Sequence, residues 1–260
     1  MRLIRTLHAV WLVSCALATG VFRYPGWAPS HQRHYVRSWS RRLLRALGIR
    51  LVVHGHLSEA QHHNLLVVAN HISWLDIFVL HAVHPTRFVA KAELASWPVF
   101  GFLIRRSGTI FLERARRHDT ARVNRNISEA LAGGDCIGVF PEGTTSEGRA
   151  VMRFHASLLQ PIVDAGGHVQ PIALRYLEAD GSFAAAPAYV DDMPFFTCFW
   201  SIVGSRNLQV AVWLYPLLDA ATAHRRELAH AARESIMSAW GPKPGGSAPE
   251  TPRHPRAAAR

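Results

Sequence analysis

The chain has 260 residues, 49% of them hydrophobic, enough for one sizeable core and too apolar for an intrinsically disordered chain. Lys and Arg number 29 against 18 Asp and Glu, a formal charge of +11, which points to a polyanionic partner: nucleic acid, anionic lipid or a phosphorylated substrate. Three widely spaced cysteines, Cys15, Cys136 and Cys198, with no CxxC pair, argue against a disulfide framework and fit a reducing compartment.

No acidic residue precedes Glu59, while Arg2, Arg5, Arg23, Arg33, Arg37, Arg41, Arg42, Arg45 and Arg50 all do. They are interleaved with Trp11, Trp27, Tyr35 and Trp39, the pattern of a membrane surface more than of a DNA groove. Residues 7–22 form an uncharged apolar run, a little short of the ~20 residues of a clean crossing. Three readings fit it: a helix that spans, a helix that lies in the interface, or a signal peptide with Ala16-Leu17-Ala18 as its cleavage site. We favour an uncleaved anchor because a second basic segment follows. Residues 33–48 repeat Val36, Trp39, Leu43 and Leu47 at helical spacing, with arginines on the other face and Gly48 as C-cap. Such a helix either lies on an anionic bilayer or turns its apolar face to an ordinary core.

From residue 49 onward, short apolar runs alternate with helical patterns, which predicts an α/β fold with helices packed on a sheet. The patterns place strands over 49–54, 64–69, 86–90, 108–112, 136–140, 168–175 and 207–215. They place helices over 74–83, 119–132, 155–165 and 222–239. The organisation expected is an anchor and basic amphipathic helix over 1–48, a catalytic domain over 49–240, and a disordered Pro/Gly/Ala-rich tail over 241–260.

Four stretches bear chemistry. In VVANHISWLD, residues 67–76, His71 follows the end of a buried strand, and sites collect at the carboxyl ends of such strands. Ser73 suits the N-cap of the next helix, with Asp76 in its first turn. This is either plain capping with His71 a loop histidine, or a dyad in which Asp76 holds Nδ1–H and leaves Nε2 free as a base. No GxSxG surrounds any serine, so the nucleophile of such a dyad would be a substrate hydroxyl. In GVFPEGTTSEG, residues 138–148, a strand enters a turn whose amides and hydroxyls either cradle a phosphate or simply end the strand. In residues 88–114, Lys91 and Arg114 adjoin strand ends, as phosphate-binding cations or as solvated flanks. The fourth, HVQPIALRY over 168–176, is a core strand with Pro171 near its start.

Taken together, Asn70-His71-x-Ser73-Trp74-x-Asp76, KAEL…WPVFG…GTIFLER, FPEGTTSEG and QPIAL resemble, in order and spacing, the four blocks of the glycerolipid acyltransferase family. The resemblance covers roughly residues 50–215, most of the folded part. It implies an αβ acyltransferase domain with a mixed sheet flanked by helices, preceded by membrane-associating N-terminal helices. It implies His71 as general base with Asp76 orienting it. It implies Lys91, Arg114, Glu142, Gly143 and Thr144 as the holders of the acceptor. It implies a lysolipid acceptor, 1-acyl-sn-glycerol-3-phosphate above all, with acyl-CoA or acyl carrier protein as donor and with no metal or cofactor. The expected setting is an anionic inner-membrane surface, with the catalytic domain facing the cytoplasm and no nucleic-acid partner.

One position departs from the family pattern. Where its third block carries an arginine this chain has Thr145, a loss of about 1.5–3 kcal/mol if that arginine bound phosphate. Lys91, Arg114, Arg105, Arg106 or Arg149 could compensate, or the acceptor could be lyso-ornithine lipid, which needs no such pocket. Two readings stand further off. One is a membrane-bound metal or nucleic-acid binder built on His54, His56, His62 and His63. The other is a non-enzymatic lipid-binding protein.

Overall fold

The computed structural model describes residues 1–56, 63–96, 100–112, 117–190 and 192–241; for residues 91, 100, 112 and 117–123 it describes the backbone alone. The strands are β1 Arg50–His54, β2 Leu65–Ala69, β3 Arg87–Lys91, β4 Ile110–Leu112, β5 Cys136–Val139, β6 His168–Leu177, β7 Gln209–Leu214 and β8 Leu218–Asp219. They form one sheet in the order β1-β7-β6-β2-β5-β3-β4, with β8 also pairing with β6. β2 lies at its centre, parallel to β5 (Leu65 opposite Cys136) and to β6 (Leu65 opposite His168). β7 runs antiparallel to β6 and parallel to β1, so the sheet is mixed, as expected.

The helices are α1 Arg2–Phe22, α2 Pro29–Ala46, α3 Asp76–Val83, α4 Phe100–Arg106, α5 Arg117–Ala132, α6 Gln160–Ala165, α7 Phe195–Gly204 and α8 Arg225–Met237. All five side chains of β2 are buried, as suits a strand covered on both faces. Leu65, Val67 and Ala69 join one core with Leu43 and Leu44 of α2, Val79 and Leu80 of α3, and Cys198 and Ile202 of α7. Leu66 and Val68 point the other way, to Ile127 and Leu131 of α5, Ile162 of α6, and Leu228 and Ala232 of α8. The molecule is thus three layers, helix on sheet on helix.

α3 begins at Asp76, not residue 74. Residues 155–165 divide into a 3-10 turn over Ala156–Leu159 and then α6. α4 and α7 have no counterpart among the predicted helices. α7 (FFTCFWSIVG) has no polar face to give it a period, and α4 lies between the predicted strands 86–90 and 108–112, where no element was expected. Of the tail, residues 242–260 lie outside the described residues.

α1 has 21 residues and is long and apolar enough to cross a membrane. Its inner stripe is Ala9, Leu12, Ala16 and Gly20, small enough to seat it closely on the protein. Its outer face exposes Leu3, Ile4, Leu7, Val10 and Trp11, and Phe196 and Trp200 of α7 are exposed as well. Arg5 ties α1 down by donating to the carbonyls of Val203 and Ser205, at 3.2 and 2.6 Å. α2 turns its apolar stripe inward: Leu43 and Leu44 are core, and Trp39 packs edge-on against Phe78 and donates Nε1–H to the Leu12 carbonyl. Of the two readings of residues 33–48, the structure adopts the core-facing one.

Candidate active site

β2 stops at Ala69, yet the pairing with β6 continues one step by other means. Asn70 Nδ2 donates to the Leu174 carbonyl at 3.0 Å, and its Oδ1 accepts from Leu174 N–H at 2.8 Å. A side-chain amide stands in for a peptide group, so the residue after it leaves the sheet from a fixed point. That residue is His71.

The chain then wraps around a single carboxylate. Asp76 Oδ2 accepts from the Ile72 amide at 2.6 Å and the Ser73 amide at 2.9 Å, and lies 2.8 Å from His71 Nδ1. Its other oxygen, Oδ1, accepts from Tyr176 O–H at 2.8 Å. Asp76 is 0% exposed, and four donors meet the cost of burying a carboxylate. Ser73, the expected N-cap, makes no cap: its Oγ accepts from Leu75 N–H at 3.3 Å, and Leu75 occupies the N-cap position. The Asp76 carboxylate reaches back instead to amides that precede the helix.

With Oδ2 an acceptor, Nδ1 carries the proton and Nε2 has its lone pair free. No group among the described residues hydrogen-bonds Nε2. The ring stacks on Phe140 at 4.0 Å between centroids, and Phe140 stacks on Phe88 at 5.7 Å. The imidazole therefore has one covered face, one carboxylate behind it, and 20% of its side chain open.

The 138–148 stretch fixes His71 from the other side. Glu142 Oε1 accepts from the His71 amide at 3.1 Å, and the Ser146 amide donates to the His71 carbonyl at 2.9 Å. Both backbone groups of His71 are thus held by this one loop. Gly143 and Gly148 take positive φ (+74° and +83°), and a Cβ on Gly148 would come 2.8 Å from Ile72 Cδ1. Glu142 is 4% exposed, and burial pushes its carboxyl up to about 7. Asp76 pushes the same way, while the His71 and Met152 amides and Arg233 pull it back. Thr145 Oγ1 donates to the Tyr189 carbonyl, and the Tyr189 amide donates to the Ile72 carbonyl at 2.9 Å.

The structure therefore brings His71, Asp76 and Glu142 together. Gly143 lies in the turn beside them, and Thr144 is exposed on it. Lys91 ends β3, parallel to β5, so its backbone stands on the same edge of the sheet; its side chain is not described. Arg114 lies outside the described residues. Arg149 lies over the Phe183 ring at 4.5 Å and pairs with Glu147 at 3.2 Å. Arg106 is carried away from His71, because α4 crosses back from the end of β3 to the start of β4. No group of three or more metal-ligating side chains forms among the described residues; His62 lies outside them, and His54 stacks on Trp213. Asn70, Phe140 and Ser146 stood in the quoted motifs without the roles they take here, and Tyr176 was not marked as a site residue. Tyr176 shares a face with Ile172 and Leu174 at strand period, so its burial was legible, though not its partner 100 residues away.

A buried-carboxylate dyad at a strand end, with no hydroxyl or thiol hydrogen-bonded to Nε2 among the described residues, suits a base that acts on a substrate hydroxyl. A match to the acyltransferase family spans residues 50–175. The 1-acyl-sn-glycerol-3-phosphate acyltransferase of Neisseria meningitidis is 38% identical over 82% of this chain and 85% of its own length. The lyso-ornithine lipid O-acyltransferase of Pseudomonas aeruginosa is 32% identical over 91% and 92%. The fold is that of the 1-acyl-sn-glycerophosphate acyltransferase PlsC of Thermotoga maritima, with a TM-score of 0.67 over 92% of this chain and 96% of that one, at 22% identity. The chain belongs to the acyltransferase family and is an acyltransferase of its lysolipid-acylating branch.

Proposed function

We propose that this enzyme moves a fatty acyl group from acyl-CoA or acyl carrier protein to the free hydroxyl of 1-acyl-sn-glycerol-3-phosphate, giving phosphatidic acid. The observation that carries this reading is the 2.8 Å contact between His71 Nδ1 and a fully buried Asp76 that also binds Tyr176. Nε2 takes the proton of the lysolipid hydroxyl as its oxygen attacks the thioester carbonyl. The C–S bond then breaks, and the imidazolium returns the proton to the leaving thiolate. Asp76 steadies the charge on the ring between the two steps, and general-base help of this kind is worth roughly 10²–10⁴-fold. Glu142 and Ser146 hold the backbone of His71, so we assign Glu142 a positioning role. Gly143, Thr144, Lys91 and Arg114 remain the candidates for the acceptor itself. The exposed apolar face of α1 supports an anchor in the inner membrane, with the catalytic domain on the cytoplasmic side where thioester donors are made.

A second acceptor has its own support. The Thr145 hydroxyl is committed to the Tyr189 carbonyl and supplies no charge where the family pattern has arginine. That suits a lyso-ornithine lipid, the acceptor named for the Pseudomonas relative. Membranes carrying the wild type or His71→Ala, given labelled oleoyl-CoA with lysophosphatidate and lyso-ornithine lipid in parallel, decide between the two. Label in phosphatidate, lost in the variant, supports the first reading; label in ornithine lipid alone supports the second; full transfer by His71→Ala ends the role of His71 as base.

A further inference from the structure

A large cavity lies away from His71. It has a volume of about 620 Å³ and lies at the opposite end of the sheet, where β3 and β5 begin. The first turns of α2, the last turns of α3 and α4, and the segments 85–87 and 134–136 enclose it. Its size falls in the usual range for a small-molecule site, about 300–1,000 Å³.

Its lining is basic. Arg33, Arg37, Arg87 and Arg106 face it, against one carboxylate, Asp135. Asp135 is taken by Arg87, whose Nε also donates to the Gly108 carbonyl at 2.9 Å. Arg33, Arg37 and Arg106 have no carboxylate of their own among the described residues of the wall.

Two polar side chains in the same wall are nearly sealed from solvent and lack partners. His81 and Thr86 are each 5% exposed, and His81 Nδ1 and Thr86 Oγ1 meet no donor or acceptor among the described residues. Arg37 Nε is buried in the same condition. A buried polar group left unpaired is costly, so several around one hollow describe the inner surface of a site for a polar ligand. Burial holds His81 down to about 4, so it is neutral at physiological pH and serves through its ring nitrogens, leaving the charge to the arginines.

We propose that this cavity binds a phosphate-bearing anion at a site separate from the His71 centre. Several guanidinium forks at the edges of one pocket, with a hydroxyl and a neutral imidazole deeper in it, match an oxyanion with several acceptor oxygens. The ligand is either the headgroup of an acidic phospholipid or a free phosphate. The cavity opens beside the α1–α2 turn, with Tyr24 in its wall, which brings it close to the end of the apolar helix.

The test is calorimetry on the detergent-solubilised full chain, with inorganic phosphate and dihexanoylphosphatidylglycerol as probes and dihexanoylphosphatidylcholine as the zwitterionic control. The wild type is expected to bind at least one of the first two saturably, more weakly as salt rises, and to prefer it to the control. Tighter binding of the phosphatidylglycerol identifies a headgroup site, and equal or tighter binding of phosphate a free-phosphate site. Arg33→Gln with Arg106→Gln, both exposed and so safe for folding, weakens binding roughly tenfold or more. Thr86→Val weakens it with less charge dependence. His71→Ala leaves it unchanged, whatever becomes of acyl transfer, so this site and the catalytic reading fail separately. The proposal falls if neither probe binds, if folded arginine and threonine variants bind like the wild type, or if His71→Ala abolishes binding.

Discussion

At the carboxyl end of β2 the structure gathers acids, and at the amino ends of β3 and β5 it gathers bases. Asp76 and Glu142 lie behind and beneath His71, and the carboxylate of Asp76 has four donors from its own chain. Arg33, Arg37 and Arg106 surround a hollow in which His81 Nδ1 and Thr86 Oγ1 have no partner among the described residues. Both ends bury polar groups at similar depth, but only Asp76 is answered from within on both oxygens; Glu142 Oε2, like His81 Nδ1 and Thr86 Oγ1, meets no partner among the described residues. A site that must hold a reacting group in one place gains from internal partners that stay put between turnovers. A site whose partner arrives from outside has to leave its donors open.

The sharpest way to break the first end is to remove its parts one at a time. His71→Ala lowers turnover by at least the roughly 10²–10⁴-fold of general-base help and, by deleting one of the four donors to the buried Asp76, costs about 1–2 kcal/mol of stability. Asp76→Asn removes turnover to a similar degree and also destabilises the fold, by about 3 kcal/mol. A carboxamide has one acceptor oxygen for a cluster of donors, and its own N–H₂ faces amides. Denaturant unfolding beside the transfer assay separates the two: equal stability of the variants would mean that the amide contacts to Asp76 carry little. Tyr176→Phe is a smaller step of the same kind. It deletes one donor to Asp76 Oδ1, costs about 1–2 kcal/mol and lowers kcat more than it changes KM. A loss confined to stability would make Tyr176 a core residue and nothing more.

The two ends also respond oppositely to pH. Glu142 is held up at about 7, so between about 4.5 and 7 the folded chain binds a proton that the unfolded chain has released. Stability therefore falls as pH rises through that window, by at most about 1.4 kcal/mol per unit. His81 is held down at about 4, so between 6.5 and about 4 the unfolded chain gains a proton that the folded chain refuses. Its contribution falls as pH drops. Unfolding curves from pH 4 to 8 are expected to show Glu142→Gln flattening the neutral limb and His81→Leu flattening the acid limb. If either variant left its limb unaltered, the burial invoked for that group would be wrong.

Much of this contrast was written in the sequence in a form that could be read. The run Leu65–Ala69 ends abruptly at Asn70, and a strand end of an α/β sheet is where a reacting side chain is expected, so His71 and Asp76 stood out. The strand order was hidden, since the placing of β7 between β1 and β6 depends on contacts far apart in sequence. The apolar stripe of α2 reads the same whether a bilayer or α3 covers it, and only the packing of Trp39 on Phe78 decides. Arg106 stood in the sequence among the cations that could make up for Thr145. A crossover helix runs counter to its strands, and it delivered Arg106 to the basic hollow instead.

Thr145 gives the smallest expected effect and the most direct reading of how the two ends divide their work. Its hydroxyl is bound to the Tyr189 carbonyl, and Tyr189 in turn braces the loop of His71 through Ile72. On that geometry the residue props the dyad and does not read the acceptor. Thr145→Val is isosteric, leaves one carbonyl without its side-chain donor, and costs about 1 kcal/mol of stability. Transfer to lysophosphatidate and to lyso-ornithine lipid would then fall together, with their ratio unchanged. A ratio that moves more than about threefold, or roughly 0.7 kcal/mol, would place the hydroxyl in contact with the headgroup and take it out of the scaffold.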